Sequence, residues 1–186
     1  LSVKEQVEKN KKYISKRYKA KKFISYFQNF TNTYLPFVDF KNYVEESIVE
    51  GVVGISVSTR PDSVNDKYLE YLAYIKDKYN LEITLELGLQ TVNYHTLKRI
   101  NRGHSLAEFV DAVIRTKKYG IRICAHLILN LPWDTMEDVI ENAKVLSALG
   151  IDEVKLHALY IVDGTELGKL YKEGEIDLIS KDEYKK

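Results

Sequence analysis

The stretch LELGLQTVNYHTLKRINRGHS, residues 85–105, decides the fold. Its leucines alternate with Glu86, Gly88 and Gln90, which is the period of a β-strand. A helical stretch follows and ends at the N-R-G-H turn, residues 101–104. An unpartnered buried polar group costs roughly 1–3 kcal/mol, so the polar row of this strand needs a partner. We expect that partner to be a ligand.

The composition indicates one globular domain over residues 1–186. Apolar residues make up 45% of the chain and charged residues 30%, with a formal net charge of +1, which gives no global case for a nucleic-acid or membrane partner. The Lys-rich residues 7–22 are a local exception, either a solvated helix face or a basic rim near an anionic substrate. No apolar run is long enough to span a bilayer and no signal-peptide pattern opens the chain, so we expect a cytoplasmic protein. Cys124 is the only cysteine, which excludes an internal disulfide and an all-Cys metal site and predicts a small buried apolar residue.

Helices and strands are predicted to alternate along the chain. The predicted strands span residues 22–29, 52–58, 82–90, 121–129 and 153–160. The predicted helices span residues 3–18, 38–49, 65–78, 93–100, 105–119, 135–149 and 165–172. This order indicates βαβ units and a parallel sheet, either a barrel-like sheet or a doubly wound open sheet. Because the chain opens on Leu1 and a helix, we also expect an N-terminally truncated fragment that lacks a strand before residue 1.

The two rows of the strands favour the barrel. At least four strands carry one apolar row and one row with polar residues, whereas both faces of a doubly wound sheet are apolar. No G-x-G-x-x-G motif follows any strand, which weighs against a dinucleotide-binding fold. The loops after the strands are rich in Asn, Thr, Gln, Arg, His and Pro, and ligands bind at that end of parallel α/β structures. These observations predict a wide, partly open barrel with a polar ligand.

Four segments in register resemble the radical S-adenosylmethionine (SAM) enzymes. They are LELGLQT…LKRINRGHS, STRPD, HLILNLPWDTMED and LHALYIVDGTELGKLYKEGEI. The resemblance is greatest to the branch that contains the Elongator catalytic subunit and the bacterial YhcC/YtqA-like proteins. It implies an open, partial (β/α)6 TIM-like barrel whose first strand and cluster loop are missing from this chain.

The resemblance also implies the chemistry. In this superfamily a C-x3-C-x2-C loop binds a 4Fe–4S cluster that cleaves SAM reductively to a 5′-deoxyadenosyl radical. The cluster ligands are expected upstream of residue 1, so this chain alone is predicted to be inactive. An electron donor such as flavodoxin or ferredoxin is implied, and the unidentified substrate is predicted to be RNA or a small metabolite, without a membrane partner.

Individual residues carry over from the family. Residues 28–33 stand where relatives have a Gly-rich segment facing the methionine amino group of SAM, and Ser58 stands in the place of a ribose-binding Glu. Gln90 and Arg102 match a Gln and an Arg that reach SAM in coproporphyrinogen-oxidase-like members, and His126 stands in the place of an Asp. Arg60 can hold a carboxylate bidentately. The predicted cofactor-binding residues are Asn29, Thr31, Asn32, Thr33, Ser58, Arg60, Glu86, Gln90, Arg102, His126, Asn130, His157 and Ala158.

Other interpretations stay open at this point. A metal-dependent barrel hydrolase would use His126, His157 and Glu86, and a binding module derived from a barrel would have no chemistry. Glu86 is alternatively a structural partner of a basic residue on a neighbouring strand, Arg122 or Lys155. Asp134 is interpreted as a helix cap.

Overall fold

Five parallel strands form one sheet whose spatial order is the chain order. The structure is a computed structural model, and it describes residues 1–184. The strands are β1 (Phe23–Phe27), β2 (Val52–Thr59), β3 (Glu82–Gln90), β4 (Arg122–Leu129) and β5 (Glu153–Ala158). A doubly wound sheet reverses its strand order at a switch point, and this sheet does not. The prediction of an open, partial barrel is confirmed.

Helices connect the strands and cover one face of the sheet. They are α1 (Val3–Tyr18), α2 (Phe37–Glu46), α3 (Asp66–Tyr79), α4 (Tyr94–Arg99), α5 (Leu106–Lys118), α6 (Met136–Ala148), α7 (Glu166–Lys172) and α8 (Lys181–Tyr184). Short 3-10 helices at Asn32–Tyr34 and Pro61–Ser63 follow β1 and β2. Within residues 1–184, no helix is both long and apolar enough to cross a membrane.

Two capping boxes fix where α5 and α6 begin. Ser105 accepts a hydrogen bond from the Ala107 N–H (3.2 Å), and the Glu108 carboxylate accepts from the Ser105 N–H (2.8 Å), as predicted. At α6 the cap is Thr135, paired with Asp138, so the prediction that Asp134 is a cap is wrong. The Asp134 carboxylate packs inward instead, where burial raises its pKa.

The core lies between the convex face of the sheet and the helices. Leu85, Leu87 and Leu89 are completely buried on that side, with Phe109 and Val113 of α5 in the same cluster. Each such side chain contributes about 1.5–3 kcal/mol of hydrophobic stabilisation. The alternating polar row of β3 therefore lies on the opposite, concave face.

The two edge strands are only partly covered. Among the described residues β1 pairs with β2 alone, and a groove of about 620 Å³ lies between α1 and the open side of β1. At the other edge the outer row of β5 is exposed, with Val154 at 48% and Leu156 at 55%. The best-covered part of the sheet is its centre, where β3 lies.

Candidate functional site

The concave face is crossed by one hydrogen-bonded network to which every strand contributes a side chain. We call it the polar layer: Tyr26 (β1), Ser56 (β2), Glu86 (β3), His126 (β4) and Lys155 (β5). The Glu86 Oε1 atom accepts from the Ser56 hydroxyl at 2.5 Å. The Oε2 atom lies 2.8 Å from Tyr26 Oη, 2.6 Å from His126 Nε2 and 2.7 Å from Lys155 Nζ.

The strand period places these residues together. Even-numbered residues of β2, β3 and β4 face the concave side, and β4 aligns with β5 so that His126 stands opposite Lys155. The curvature of the sheet then brings the two edges into contact, since Lys155 Nζ also donates to Tyr26 Oη at 3.1 Å. The alternative in which Glu86 pairs with Lys155 is confirmed, whereas Arg122 binds Glu82 and Glu153 near the start of the strands.

Electrostatics favour one protonation state for each of Glu86, His126 and Lys155. Burial raises the pKa of Glu86, but hydrogen bonds from Lys155, Ser56, Tyr26 and His126 outweigh it and lower the pKa to about 2. Burial lowers the pKa of His126, and its hydrogen bond to Glu86 only partly opposes this. Burial also lowers the pKa of Lys155, but its bonds to Glu86 and Tyr26 outweigh that effect and raise the pKa. At neutral pH the layer therefore contains a carboxylate, an ammonium and a neutral imidazole.

The polar layer does not have the chemistry of a metal site. Glu86, Cys124 and His126 bring their ligand atoms within 4.8 Å of one another, but His157 is outside this group. The Lys155 ammonium already pairs with the carboxylate oxygen that a cation would take. Burial raises the pKa of the Cys124 thiol to about 11, which leaves almost no thiolate to bind a metal. The hydrolase interpretation, with Glu86, His126 and His157 as ligands, finds no support here.

Above the polar layer, Gly88 makes room for the predicted pair Gln90 and Arg102. A Cβ atom on Gly88 would overlap Arg102 Nη2 and lie 2.8 Å from Gln90 Nε2. Arg102 Nη2 donates to the Gly88 carbonyl at 3.1 Å, and its Nε donates to His104 Nε2 at 2.9 Å. An irregularity after Gly88 moves the register with β4 and keeps the Gln90 amide on the concave side. Glycine at this position leaves room for both polar groups over the concave face, and we call the space in front of that face the cavity.

Arg102 is held in a buried, strongly cationic place. Burial lowers its pKa, and the neighbouring Arg60 charge lowers it further. Arg60 Nε and Nη2 bind Asp62 at 2.9 and 2.7 Å, so the predicted bidentate carboxylate partner of Arg60 is supplied by the chain itself. We call the C-terminal ends of the strands, with the loops that follow them, the rim. Because one carboxylate, that of Asp62, faces the guanidinium groups of Arg60 and Arg102, the rim carries net positive charge here.

Three of the six described residues other than glycine that have positive φ lie at the C-terminal ends of the strands. Phe30, Gln90 and Asn130 all have positive φ (62°, 74° and 62°), and they lie at or just beyond the ends of β1, β3 and β4. Such conformations cost of order 1–3 kcal/mol in residues other than glycine and cluster at functional sites. Phe30 is also 96% exposed. The strain supports the C-terminal rim as the functional end of the sheet.

Some predicted cofactor-binding side chains already have structural partners. Asn32 donates to the carbonyls of Phe27 and Ser58 at 2.9 and 2.8 Å, which ties the end of β1 to β2. Thr33 and Thr59 share a hydrogen bond of 2.6 Å between their hydroxyl groups. These contacts hold the loop that carries the neighbouring predicted residues.

The remaining predicted residues lie around the rim. Asn29 is exposed and Thr31 is half-buried in the loop after β1, and His157 and Ala158 are exposed at the end of β5. Asn130 accepts from the Leu159 N–H at 3.1 Å, which ties β4 to β5. Ser58, Gln90 and Arg102 thus lie on the concave side of the sheet, next to the polar layer. The remaining positions form its margin.

Three members of the polar layer and one residue at the rim were absent from the predicted site. The first three are Tyr26, Ser56 and Lys155, of which only Lys155 is named in the sequence analysis, as a structural partner of Glu86. His104, beside Arg102, was assigned only to a turn. The alternation of side chains along each strand could have identified the first three, because each lies in the row that faces the concave side.

Two sequence models match the chain. That of the radical SAM superfamily covers residues 1–158, and that of the Radical_SAM C-terminal domain covers residues 151–186. Protein YtqA of Bacillus subtilis is 37% identical over 175 residues, which are 94% of this chain and 54% of that protein. Protein MJ0486 of Methanocaldococcus jannaschii is 36% identical over 186 residues, 99% of this chain and 57% of that protein. The chain spans about half the length of these relatives.

Solved structures show the same fold. The archaeal Elp3 of Methanocaldococcus infernus, lacking its N-terminus, superimposes with a TM-score of 0.82 at 20% identity, over 98% of this chain and 47% of that one. Coproporphyrinogen III oxidase from Escherichia coli, a radical SAM enzyme, gives 0.62 at 18% identity, over 82% of this chain and 35% of that one. The family model, the relatives and the half-barrel agree, and the chain belongs to the radical SAM superfamily.

Proposed function

We propose that the concave face of this chain is the SAM-binding core of a radical SAM enzyme. The observation that carries the proposal is the cradle at Gly88, where the absence of a side chain lets Gln90 and Arg102 reach the cavity. Both are among the residues that the family resemblance assigns to SAM. They lie beside a register irregularity of β3 and a positive φ at Gln90, and such strained positions cluster at functional sites.

The residues present fit SAM. Its carboxylate is matched by the net positive rim of Arg102 and Arg60, and its hydroxyl and amino groups by the Gln90 amide and the Ser58 hydroxyl. Asn29, Thr31, His157 and Ala158 would contribute at the margin. The polar layer, with Glu86 and His126, forms the floor.

The cluster does not fit within this chain. A cluster loop of the family uses three cysteines, and the sequence contains only Cys124, whose buried thiol lies in a strand. We infer that the cluster ligands belong to another segment of the protein and that this chain alone is inactive. Together, SAM and a reduced cluster supply the reductive SAM cleavage for which the family is known.

The open edge of β1 supports a larger domain. The groove between α1 and β1 is lined by both polar and apolar residues, the latter including Val7, Ile14 and Ile24, and β1 offers unpaired backbone groups on that side. We infer that a further parallel strand of the same protein occupies it, so that residues 1–186 form part of a single barrel domain.

The substrate class proposed from the sequence is RNA or a small metabolite. The chain is 25% identical over 139 residues to the tRNA uridine(34) acetyltransferase of Methanocaldococcus infernus. The exposed, Lys-rich α1 is the surface where RNA would bind. Salt-dependent binding of bulk tRNA to the intact protein, lost when Lys9, Lys12 and Lys16 become Glu, would favour RNA, and no binding would favour a small metabolite. An electron donor of the flavodoxin or ferredoxin type is the second proposed partner.

The proposal is tested by the affinity of the intact protein for SAM. Gln90→Ala and Arg102→Ala should each weaken SAM binding about tenfold or more, because each removes a hydrogen bond or ion pair worth about 1–3 kcal/mol. The matched control is Arg99→Ala. The Arg99 guanidinium lies 5.1 Å from the centre of the Trp133 ring and outside the cradle.

Arg99→Ala should bind SAM as the wild-type protein does. Unchanged affinity in both Gln90→Ala and Arg102→Ala would remove the cradle from the site.

A further inference from the structure

We propose that His126 is a proton acceptor for the substrate bound at the concave face, and that Glu86 is its positioning residue. The inference rests on the proposed function, because it assigns a role within the same cavity. It concerns substrates that present a hydroxyl or ammonium group to the polar layer.

The hydrogen bonds of the polar layer determine which imidazole nitrogen holds the proton. The Glu86 carboxylate has no proton to give, so the 2.6 Å contact with His126 requires an N–H on Nε2. A neutral imidazole then carries its lone pair on Nδ1. This is the arrangement by which carboxylates orient histidine bases in enzymes.

The Nδ1 lone pair is available to a ligand. Among the described residues no side chain or backbone group donates a hydrogen bond to it. It is also not among the fully buried polar atoms that lack a hydrogen-bond partner, so it is accessible. The His126 side chain is 12% exposed, so part of it is accessible. His104 differs, because its Nε2 accepts from Arg102 and its Nδ1 lies 3.3 Å from the Ser105 carbonyl.

Charged and titratable groups face His126 from the neighbouring strands. They are Glu86 on β3, Lys155 and His157 on β5, Tyr26 on β1 and Cys124 on β4 itself. Burial and the Lys155 ammonium keep the imidazole neutral at rest, and Glu86 stabilises the imidazolium once a proton arrives. The His157 ring, 5.1 Å from the His126 ring and exposed, offers a route by which the proton leaves to solvent.

The proposed step is a heterolytic proton transfer. The O–H or N–H bond of the substrate breaks, its electron pair stays on the oxygen or nitrogen, and a new N–H bond forms at Nδ1 of His126. The positive charge created on the ring is balanced by the Glu86 carboxylate. No oxidant or reductant is needed for this step.

The test uses the intact protein and diethyl pyrocarbonate, which modifies accessible histidines only in their unprotonated form and whose sites of modification are located by peptide mass spectrometry. The four histidines of this chain provide their own controls, since His95 is exposed and His104 is buried with both nitrogens engaged. We expect modification at His126 and His95 and none at His104, with and without SAM. Nitrogen-15 NMR should show the Nε2–H form of His126.

Glu86→Gln tests the positioning role. Without the carboxylate the imidazolium is less stable, so the midpoint of His126 modification should move to lower pH. Ser56→Ala, which removes a different donor to Glu86, should leave the His126 tautomer unchanged. The wild-type protein alone decides the matter if either variant fails to fold.

Three results would overturn the inference: an unreactive His126, an Nδ1–H tautomer, or complete protection of His126 by SAM. Protection would give His126 to the cofactor, as the family resemblance predicts, and would support the proposed function while ending the proton-acceptor role. If the intact protein does not bind SAM but His126 is reactive, the proposed function fails and the proton-acceptor role of His126 is retained.

Discussion

Glu86 and Glu82 lie on the same face of β3 but in very different surroundings. The Glu86 side chain is 9% exposed and has hydrogen-bonding partners from four other strands, whereas that of Glu82 is 51% exposed and lies 3.6 Å from Arg122. We expect Glu86→Gln to lower the free energy of unfolding by roughly 2–3 kcal/mol, because Lys155 loses its buried counter-ion. Glu82→Gln, the matched control, should cost less than about 1 kcal/mol. Chemical denaturation measures both, and equal losses would contradict the ranking.

Glu86 should also make the stability of the protein depend on pH. The pKa of Glu86 is depressed from its ordinary value of 4.5 to about 2, so its contribution is complete above pH 4.5 and is lost as the pH falls towards 2. The difference in unfolding free energy between the wild-type protein and Glu86→Gln should therefore shrink across that window. Denaturation at a series of pH values tests this, and a difference that stays constant would show that Glu86 is not held ionised.

Position 88 needs a glycine because neighbouring side chains occupy the space of a Cβ atom. Its backbone conformation does not require glycine, since its φ is not positive. We expect Gly88→Ala to destabilise the protein, because the new methyl group displaces the Arg102 guanidinium. In an Arg102→Ala background the same change should cost less, with a coupling of about 0.5–3 kcal/mol. A double-mutant cycle in denaturant measures the coupling. Additive losses would mean that Arg102 does not fill the space over Gly88.

At the scale of elements, α6 holds the loop that carries the cradle. Asn142, 1% exposed on α6, accepts from the Val92 N–H at 2.8 Å, two residues after Gln90. Asn142→Leu keeps the shape but leaves that N–H unsatisfied, so we expect a loss of about 1–3 kcal/mol and weaker SAM binding. Glu141→Gln on the exposed side of α6 should stay within about 0.5 kcal/mol of the wild-type protein. A loss of stability with unchanged SAM affinity would show that Gln90 does not depend on α6.

The strands were predictable from the sequence, and the contacts between distant strands were not. Leucine alternation predicted β3 at its observed bounds, whereas the expected ligand is not needed to satisfy Glu86 in the polar row, because side chains of the other four strands do so. Tyr26 and Lys155 are 129 residues apart in sequence. Their contact depends on the curvature of the whole sheet, which no local pattern encodes. The partners of Asn32 and Asn130 depend in the same way on the final loop positions.

In the molecule as a whole, the two faces of the sheet have different roles. The convex face carries the apolar core, and the concave face carries a polar layer that is complete without a ligand, with the Gly88 cradle above it. The polar layer is therefore held in place by its own hydrogen bonds.

The most direct test of the central claim is the formation of 5′-deoxyadenosine by the intact protein, reconstituted with iron and sulfide without oxygen and reduced in the presence of SAM. We expect 5′-deoxyadenosine in the wild-type protein and a loss of it in Arg102→Ala at equal cluster content. A wild-type protein that holds a reduced cluster and SAM but forms no 5′-deoxyadenosine would show that the SAM-binding core does not support radical chemistry.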